Sequence, residues 1–256
     1  MIQMYKMDDI YARYSQYVEY ICHTKDLSNF KNNSNYTYML EHVQKDQGEL
    51  YLQLILSNTN INEKEIIDFC SKNDALGNTT RQIYNIESST ISVSPTSLRY
   101  IYHAHLILTH NKTTNKPTTD IVEVGGGYGG LCLAIHHFAP KYEVAINSYR
   151  ICDLTFIICL QQLYLNAVDP SLKVEFIDAI NHGENINCND LFLVSNYCFS
   201  EISEENQKCY VQKLFPKVSH GFIAWNHIPV YDFGFCAQVE PEVPCTGGPL
   251  NKYVYF

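Results

Sequence analysis

Asp120-Ile121-Val122-Glu123-Val124-Gly125-Gly126-Gly127-Tyr128-Gly129-Gly130-Leu131 decides how the rest of the chain is read. Ile121 to Val124 holds three β-branched residues, which predicts a short strand. Leu131 to Phe138 predicts a helix. Five of the six residues between the two are glycine. Glycine lets a backbone turn sharply and approach a ligand closely. The helix that follows offers free N–H groups and the positive end of its dipole. A tight turn without a ligand needs fewer glycines than this. Gly125, Gly127 and Gly130 also satisfy G-x-G-x-x-G, a spacing that serves NAD and S-adenosylmethionine alike.

Downstream, short apolar runs alternate with helical stretches. Strands are expected over Tyr149–Leu154, Val174–Ile177, Leu191–Ser195 and Gly221–Trp225. Helices are expected over Thr155–Ala167 and from Ser203, as N-cap, to about Lys217. Cys236–Val239 and Tyr253–Phe256 flank a Pro/Gly-rich loop and predict a terminal antiparallel pair. This alternation predicts an α/β fold with a doubly wound, mostly parallel, seven-stranded Rossmann-like sheet.

Upstream the pattern is helical. Ile10, Tyr14, Tyr17, Val18 and Ile21 recur at three- and four-residue intervals and mark an amphipathic helix over 8–22. A polar loop over 25–35 precedes a second helix from about Tyr36 to Leu56, with a break at Gly48. A third begins after Asn60 in capping-box spacing with Glu63. Asp74 to Asn78 is turn chemistry, and Ser94-Pro95 opens a long helix to about His110. Residues 1–115 are therefore read as a helical extension and 116–256 as the ligand-binding core.

Three features favour the methyl donor over NAD. Glu123, two residues before Gly125, can meet the ammonium of a methionine moiety, whereas a pyrophosphate would repel it. Asp153, near the end of the second core strand, can accept both ribose hydroxyls, as it also would in an NAD site. The terminal antiparallel pair is how class I methyltransferases finish their sheet. The expected donor-binding set is Glu123, Gly125, Gly126, Gly127, Tyr128, Gly129, Asp153, Leu154, Asp178, Ala179, Ser195 and Asn196. Asp153 is also a fitting helix cap, and Asp178 a fitting solvated surface acid.

Composition excludes some classes. The formal charge of −9 disfavours nucleic acid as a partner. The ten cysteines are scattered without C-x-x-C spacing and read as reduced, structural thiols. No apolar run is long enough for a membrane span, and Met1 to Lys6 lacks a signal-peptide pattern, so a cytoplasmic location is expected. His103 and His105, two apart on a helix, point to different faces, and His136-His137 are adjacent. No metal site is expected.

Six segments resemble the sugar O-methyltransferases of bacterial polysaccharide loci and of large DNA viruses that glycosylate their capsids. They are Leu76-Gly77-Asn78, Ser94-Pro95-Thr96-Ser97-Leu98-Arg99-Tyr100, Ile121 to Gly130, Tyr149 to Leu154, Ser195-Asn196-Tyr197-Cys198-Phe199-Ser200-Glu201, and Glu242 to Gly247. They cover roughly residues 74 to 256, and residues 1–73 match nothing. The glycine motif is shared by many methyltransferases, whereas Ser195 to Glu201 is particular to this family. Cys198 stands where a small residue is expected. The resemblance implies S-adenosylmethionine as donor, S-adenosylhomocysteine as product and a carbohydrate hydroxyl, for instance of a deoxyhexose, as acceptor. In a viral setting the location would be the host cytoplasm. A glycosyltransferase or a second copy of the chain is an expected partner.

Acceptor groups in such a fold gather at the carboxyl ends of the strands. Glu201 is the first candidate for a general base, and equally suits a helix N-terminus as a dipole-favoured acid. His227 is the second, and equally reads as a loop histidine. Asn196 and Ser200 are expected to orient the sugar or the donor. Tyr128, Tyr197, Trp225, Asn226 and Tyr100 are the expected acceptor-binding residues, with Tyr128 and Trp225 equally suited to the core. Three other functions fit the same residues: methylation of a non-sugar acceptor, NAD-dependent oxidoreduction, and an inactive scaffold.

Overall fold

The computed structural model describes residues 2–86, 89–114 and 117–256, with side chains from residue 10 onward. The boundary drawn between residues 115 and 116 lies outside the described residues. The amphipathic pattern near the start forms α1 (Ile2–Thr24), which buries Tyr14, Val18 and Ile21 and leaves Tyr11 and Tyr20 exposed. The expected loop over 25–35 instead holds a one-turn helix whose Phe30 and Lys31 are buried, followed by α2 (Ser34–Thr37).

No helix runs from Tyr36 to Leu56. Residues 38–44 are irregular, and α3 (Lys45–Asn58) begins where the Gln44 N–H meets Gln47 Oε1 at 2.9 Å. Gly48 does not break α3. It lies in the first turn, where a Cβ would stand 2.2 Å from Tyr84 Oη, so the position demands a small residue. The next helix, α4 (Glu63–Asn73), is capped by Asn62 and boxed by Glu65, two residues later than the spacing from Asn60 predicts. A two-stranded hairpin, β1 (Gln82–Asn85) with β2 (Thr90–Val93), was not legible as strands. Then α5 (Pro95–Thr113) opens as expected, with Ser94 Oγ accepting from Thr96 N–H.

The core follows as β3 (Asp120–Val124), α6 (Gly130–Phe138), β4 (Ser148–Asp153), α7 (Thr155–Val168), β5 (Val174–Asp178), β6 (Leu191–Asn196), the single turn α8 (Cys198–Glu201), α9 (Glu204–Lys213), β7 (Val218–Trp225), β8 (Gln238–Pro241) and β9 (Lys252–Tyr255). Ser203 caps α9, which stops short of Lys217 because Pro216 follows and the chain tightens into a 3-10 turn. The terminal pair forms with its first strand two residues later and its second one residue earlier than expected, and Val239 lies opposite Val254.

The seven strands order as β5-β4-β3-β6-β7-β9-β8. The first five are mutually parallel, and β9 runs antiparallel between β7 and β8. Strand residues alternate between the two faces as the pleat requires. Ile121, Tyr149, Ile151, Phe192 and Val194 join α1 and α3–α7 in one cluster. Val122, Val124, Cys152, Leu193 and Trp225 join α9 in the other. The helices upstream of β3 thus share a core with α6 and α7. The open, mostly parallel sheet with its final antiparallel hairpin is the class I methyltransferase, Rossmann-like arrangement. Among the described residues no helix is long and apolar enough to cross a membrane.

Candidate active-site cleft

The strand order reverses between β3 and β6, and such a switch point leaves a crevice at the carboxyl ends of the strands. A cleft of about 2530 Å3 opens there. Pockets for one drug-sized ligand occupy about 300–1,000 Å3, so two ligands fit side by side. Gly125, Gly127 and Gly129 hold φ of +77°, +56° and +98°, in the left-handed region that disfavours side chains. A Cβ on Gly125 would stand 2.2 Å from Cys198 Cβ. Backbone conformation therefore favours glycine at all three positions, and close packing against the turn after β6 requires it at Gly125.

Asp153 sits at the end of β4. Its Oδ2 accepts from Gly126 N–H at 2.9 Å and Gln161 Nε2 at 2.8 Å, and its Oδ1 from Leu154 N–H at 2.8 Å. It thus ties the glycine loop to α7. Burial raises its pKa to about 6, against the opposing pull of those hydrogen bonds. Asp178 ends β5 beside Asp153, accepting from Thr155 Oγ1 at 2.7 Å and Ile180 N–H at 3.0 Å. The Ile180 hydrogen bond is the main cause that lowers its pKa. Leu154 and Ala179 line the same end of the cleft.

Glu123 lies on β3, buried, with Tyr149 Oη donating to it at 2.8 Å. Desolvation pushes its pKa up to about 8, only partly opposed by that hydrogen bond. A cation arriving beside it would favour the ionised form.

At the far end, Ser200 Oγ donates to Asn226 Oδ1 at 2.6 Å, and Asn226 Nδ2 donates to Glu201 Oε1. His227 Nε2 stands 3.5 Å from the same Glu201 oxygen. Glu201, Asn226 and His227 therefore form one group at the rim, and Glu201 Oε2 has no partner among the described residues. His227 and Tyr197 both have positive φ, +60° and +67°. Strained backbone of this kind concentrates where a site holds a side chain in place. Tyr197 donates to Glu242, which also accepts from Thr246 and from Asn251 Nδ2. The β8–β9 loop is thereby tied over the cleft, which Thr246 to Asn251 line.

Four expected ligand contacts lie in the core, outside the cleft. Tyr128 is fully buried, its hydroxyl accepting from Asn73 Nδ2 at 3.0 Å. Its ring stands 4.1 Å from Lys31 Nζ, and Tyr164 adds a second ring at 4.6 Å. The buried Lys31 has its pKa lowered by desolvation to about 8. Trp225 is buried against Phe233 and donates through Nε1 to Ile228 O at 2.8 Å. Ser195 Oγ donates to Val124 O at 2.8 Å and accepts from Phe199 N–H, bracing β6 on β3. Gly129 is also buried, its α-carbon packed on Leu165. Each has an apolar or hydrogen-bonded neighbour that fixes it inside. Asn196, Tyr197, Tyr100, Ser200 and Asn226 do line the cleft.

Two residues that the sequence reading did not assign also belong here. His103 is fully buried on α5, with Nδ1 3.0 Å from Asn196 Oδ1 and Nε2 3.3 Å from Tyr253 Oη. Burial drives its pKa down to about 3, so it is a neutral ring that orients Asn196. Arg99 lies one turn earlier on α5 and lines the cleft. The i, i+4 spacing of Arg99 and His103 was the available signal. Among the described residues no group of His, Cys, Asp or Glu is arranged to hold a metal ion.

No family model matches the chain, and no curated protein matches it. Solved structures similar to it include an S-adenosyl-L-methionine-dependent methyltransferase from Methanococcus maripaludis (14% identity, 50% of this chain and 55% of that one, TM-score 0.39). Others are CalS10, an amino pentose methyltransferase from Micromonospora echinaspora (11%, 55% and 57%, TM-score 0.39), and a SAM-dependent methyltransferase from Aquifex aeolicus (15%, 62% and 91%, TM-score 0.41). The chain spans a little over half the length of the first two.

Proposed function

We propose that the protein transfers a methyl group from S-adenosylmethionine to a sugar hydroxyl. The observation that carries the donor assignment is the glycine cradle flanked by two acids. The strained glycines leave the cradle without side chains, Asp153 and Asp178 stand at adjacent strand ends, and Glu123 lies beneath. The two strand-end acids suit a ribose and an adenine amino group, and Glu123 suits an ammonium. A pyrophosphate in the glycine cradle would meet the Glu123 carboxyl instead, which counts against NAD. The sugar assignment is supported by the family resemblance of Ser195 to Glu201 and by a polar acceptor end of Asn196, Asn226, Tyr197 and Thr246.

When bound, the donor supplies an electrophilic methyl on a sulfonium; transfer breaks the S–C bond, forms an O–C bond and leaves S-adenosylhomocysteine. The protein must align the acceptor oxygen and take up its proton. Glu201 is placed to accept that proton, with Asn226 holding its other carboxylate oxygen. Ser200 in turn holds Asn226, and His103 holds Asn196. A positioned base contributes about 10²–10⁴-fold. Alignment contributes several kcal/mol more.

Calorimetry with S-adenosylmethionine and NAD tests the donor. Tight binding of the first alone is expected, and binding of NAD alone would sink the reading. Methyl transfer into hexose and deoxyhexose acceptors, read by mass spectrometry, tests the sugar.

A further inference from the structure

Arg99 is 3% exposed on α5, yet its guanidinium is almost unused. Nη2 reaches Leu40 O at 3.4 Å, a long contact, and Nε and Nη1 have no hydrogen-bond partner. The rings of Tyr197 and Tyr100 lie 5.6 and 5.8 Å from its central carbon. Glu41 is nearby, but its Oε2 takes Thr79 and Ser94, and it makes no ion pair with Arg99. Glu41 offsets part of the charge, but buried donors left without acceptors are destabilising. Such donors at the wall of a cleft are available to a group that arrives with a ligand.

We infer that Arg99 is an anion anchor that receives a carboxylate from a cleft ligand. The guanidinium fork matches a carboxylate in shape, and apolar and aromatic neighbours strengthen the pairing by excluding water. Arg99 lines the same cleft as Gly125–Gly127 and Asn196. Its guanidinium lies beside the Tyr197 ring at the acceptor end and reaches Leu40 O, and the Leu40 side chain borders Gly127 in the donor cradle. Two ligands bring that chemistry: the carboxylate of the donor's methionine moiety, or an acidic group on the acceptor sugar. The inference rests on the donor–acceptor reading above.

The test compares ligands first and variants second. Calorimetry on the wild-type chain compares S-adenosylmethionine with decarboxylated S-adenosylmethionine, which keeps the ammonium and loses only the carboxylate. A second titration compares p-nitrophenyl glucuronide with p-nitrophenyl glucoside on protein saturated with S-adenosylhomocysteine. Both are repeated on Arg99→Gln and Arg99→Lys, with melting curves to show that each variant folds. A charged hydrogen-bonded pair predicts a carboxylate preference of about 10- to 100-fold in one of the two comparisons. Arg99→Gln abolishes that preference, and Arg99→Lys restores part of it. A preference in the first comparison assigns the donor, and one in the second assigns an acidic acceptor. No carboxylate preference in either comparison overturns the inference, as does a preference that survives Arg99→Gln. The ligand comparisons need no variant, so a misfolded variant does not leave the question open. Wild-type protein that binds neither S-adenosylmethionine nor its product overturns the donor reading itself.

Discussion

Replacing Glu123 with glutamine should make the protein more stable at alkaline pH and slightly less stable at acid pH. Glu123 is buried with one hydrogen bond, from Tyr149, and desolvation raises its pKa from the ordinary 4.5 to about 8. An unfolded chain ionises it from about 4.5, the folded chain only from about 8. Stability is therefore greatest below the lower value and falls as pH rises through the higher one. Each tenfold gap corresponds to about 1.4 kcal/mol, so the loss approaches about 5 kcal/mol above pH 8 and about 3 at pH 7, as an upper bound. Glutamine has no such loss, but its amide adds a buried donor that costs about 1–3 kcal/mol if unpaired. The net gain of Glu123→Gln above pH 8 is then at most about 2–4 kcal/mol, or roughly 4–16 °C in Tm for a chain of this length. Near pH 5 the wild-type penalty shrinks to about 0.8 kcal/mol, below the amide cost, so the order reverses. Melting curves of both proteins from pH 5 to pH 9 measure this. A Tm difference that stays constant across that range would refute the reasoning, because it would show that Glu123 does not titrate with folding.

The same carboxylate predicts a proton signature. Donor binding at pH 7 should release close to one proton in the wild type and none in Glu123→Gln, read from calorimetric enthalpies in buffers of different ionisation heat. On the Glu123→Gln background, Asp153, with its pKa at about 6, should give a donor affinity that climbs from pH 5 to pH 7 and is level above, since ribose hydroxyls donate to the ionised form, whereas in the wild type Glu123 carries the climb on to about pH 8. Asp153→Asn should flatten that profile and weaken binding about tenfold; an unchanged profile would remove Asp153 from the donor site. Glu201→Gln should lower kcat by about 10²–10⁴-fold while donor affinity holds, with His227→Ala the milder change; full activity in both would end the assignment of either as base. Gly125→Ala should lose donor binding and about 2 kcal/mol of stability. The new Cβ meets Cys198 at 2.2 Å with φ at +77°, and a variant with wild-type melting and binding would show that the loop is looser than described.

The local elements of the core were legible in the sequence because each carries its own code. Ile121 to Val124 is β-branched, five glycines stop it, and Ser94-Pro95 caps α5 by a purely local hydrogen bond. The alternation of strands with helices is enough to give the sheet and, with it, the edge where a ligand sits. Elements without periodicity were lost or misplaced. The four-residue strands β1 and β2 are too short to show alternation. The segment after Tyr36 has helical residue types, but Phe30 and Tyr36 face inward and Leu40 reaches the cleft, so tertiary contacts override propensity there.

The sequence by itself determined the residue types of the cleft: a cradle of glycines, acids at strand ends, and an acid–amide–imidazole set near Glu201. Only the tertiary structure decided which of them face a ligand. Tyr128, in the middle of the glycine loop, turns inward because Phe30, Lys31 and Tyr164 arrive from distant parts of the chain to surround it. Arg99 faces the cleft because α5 packs against α3 and α6 and carries it there with His103 behind it. Side-chain direction depends on contacts between residues far apart in sequence, and no local pattern encodes those contacts.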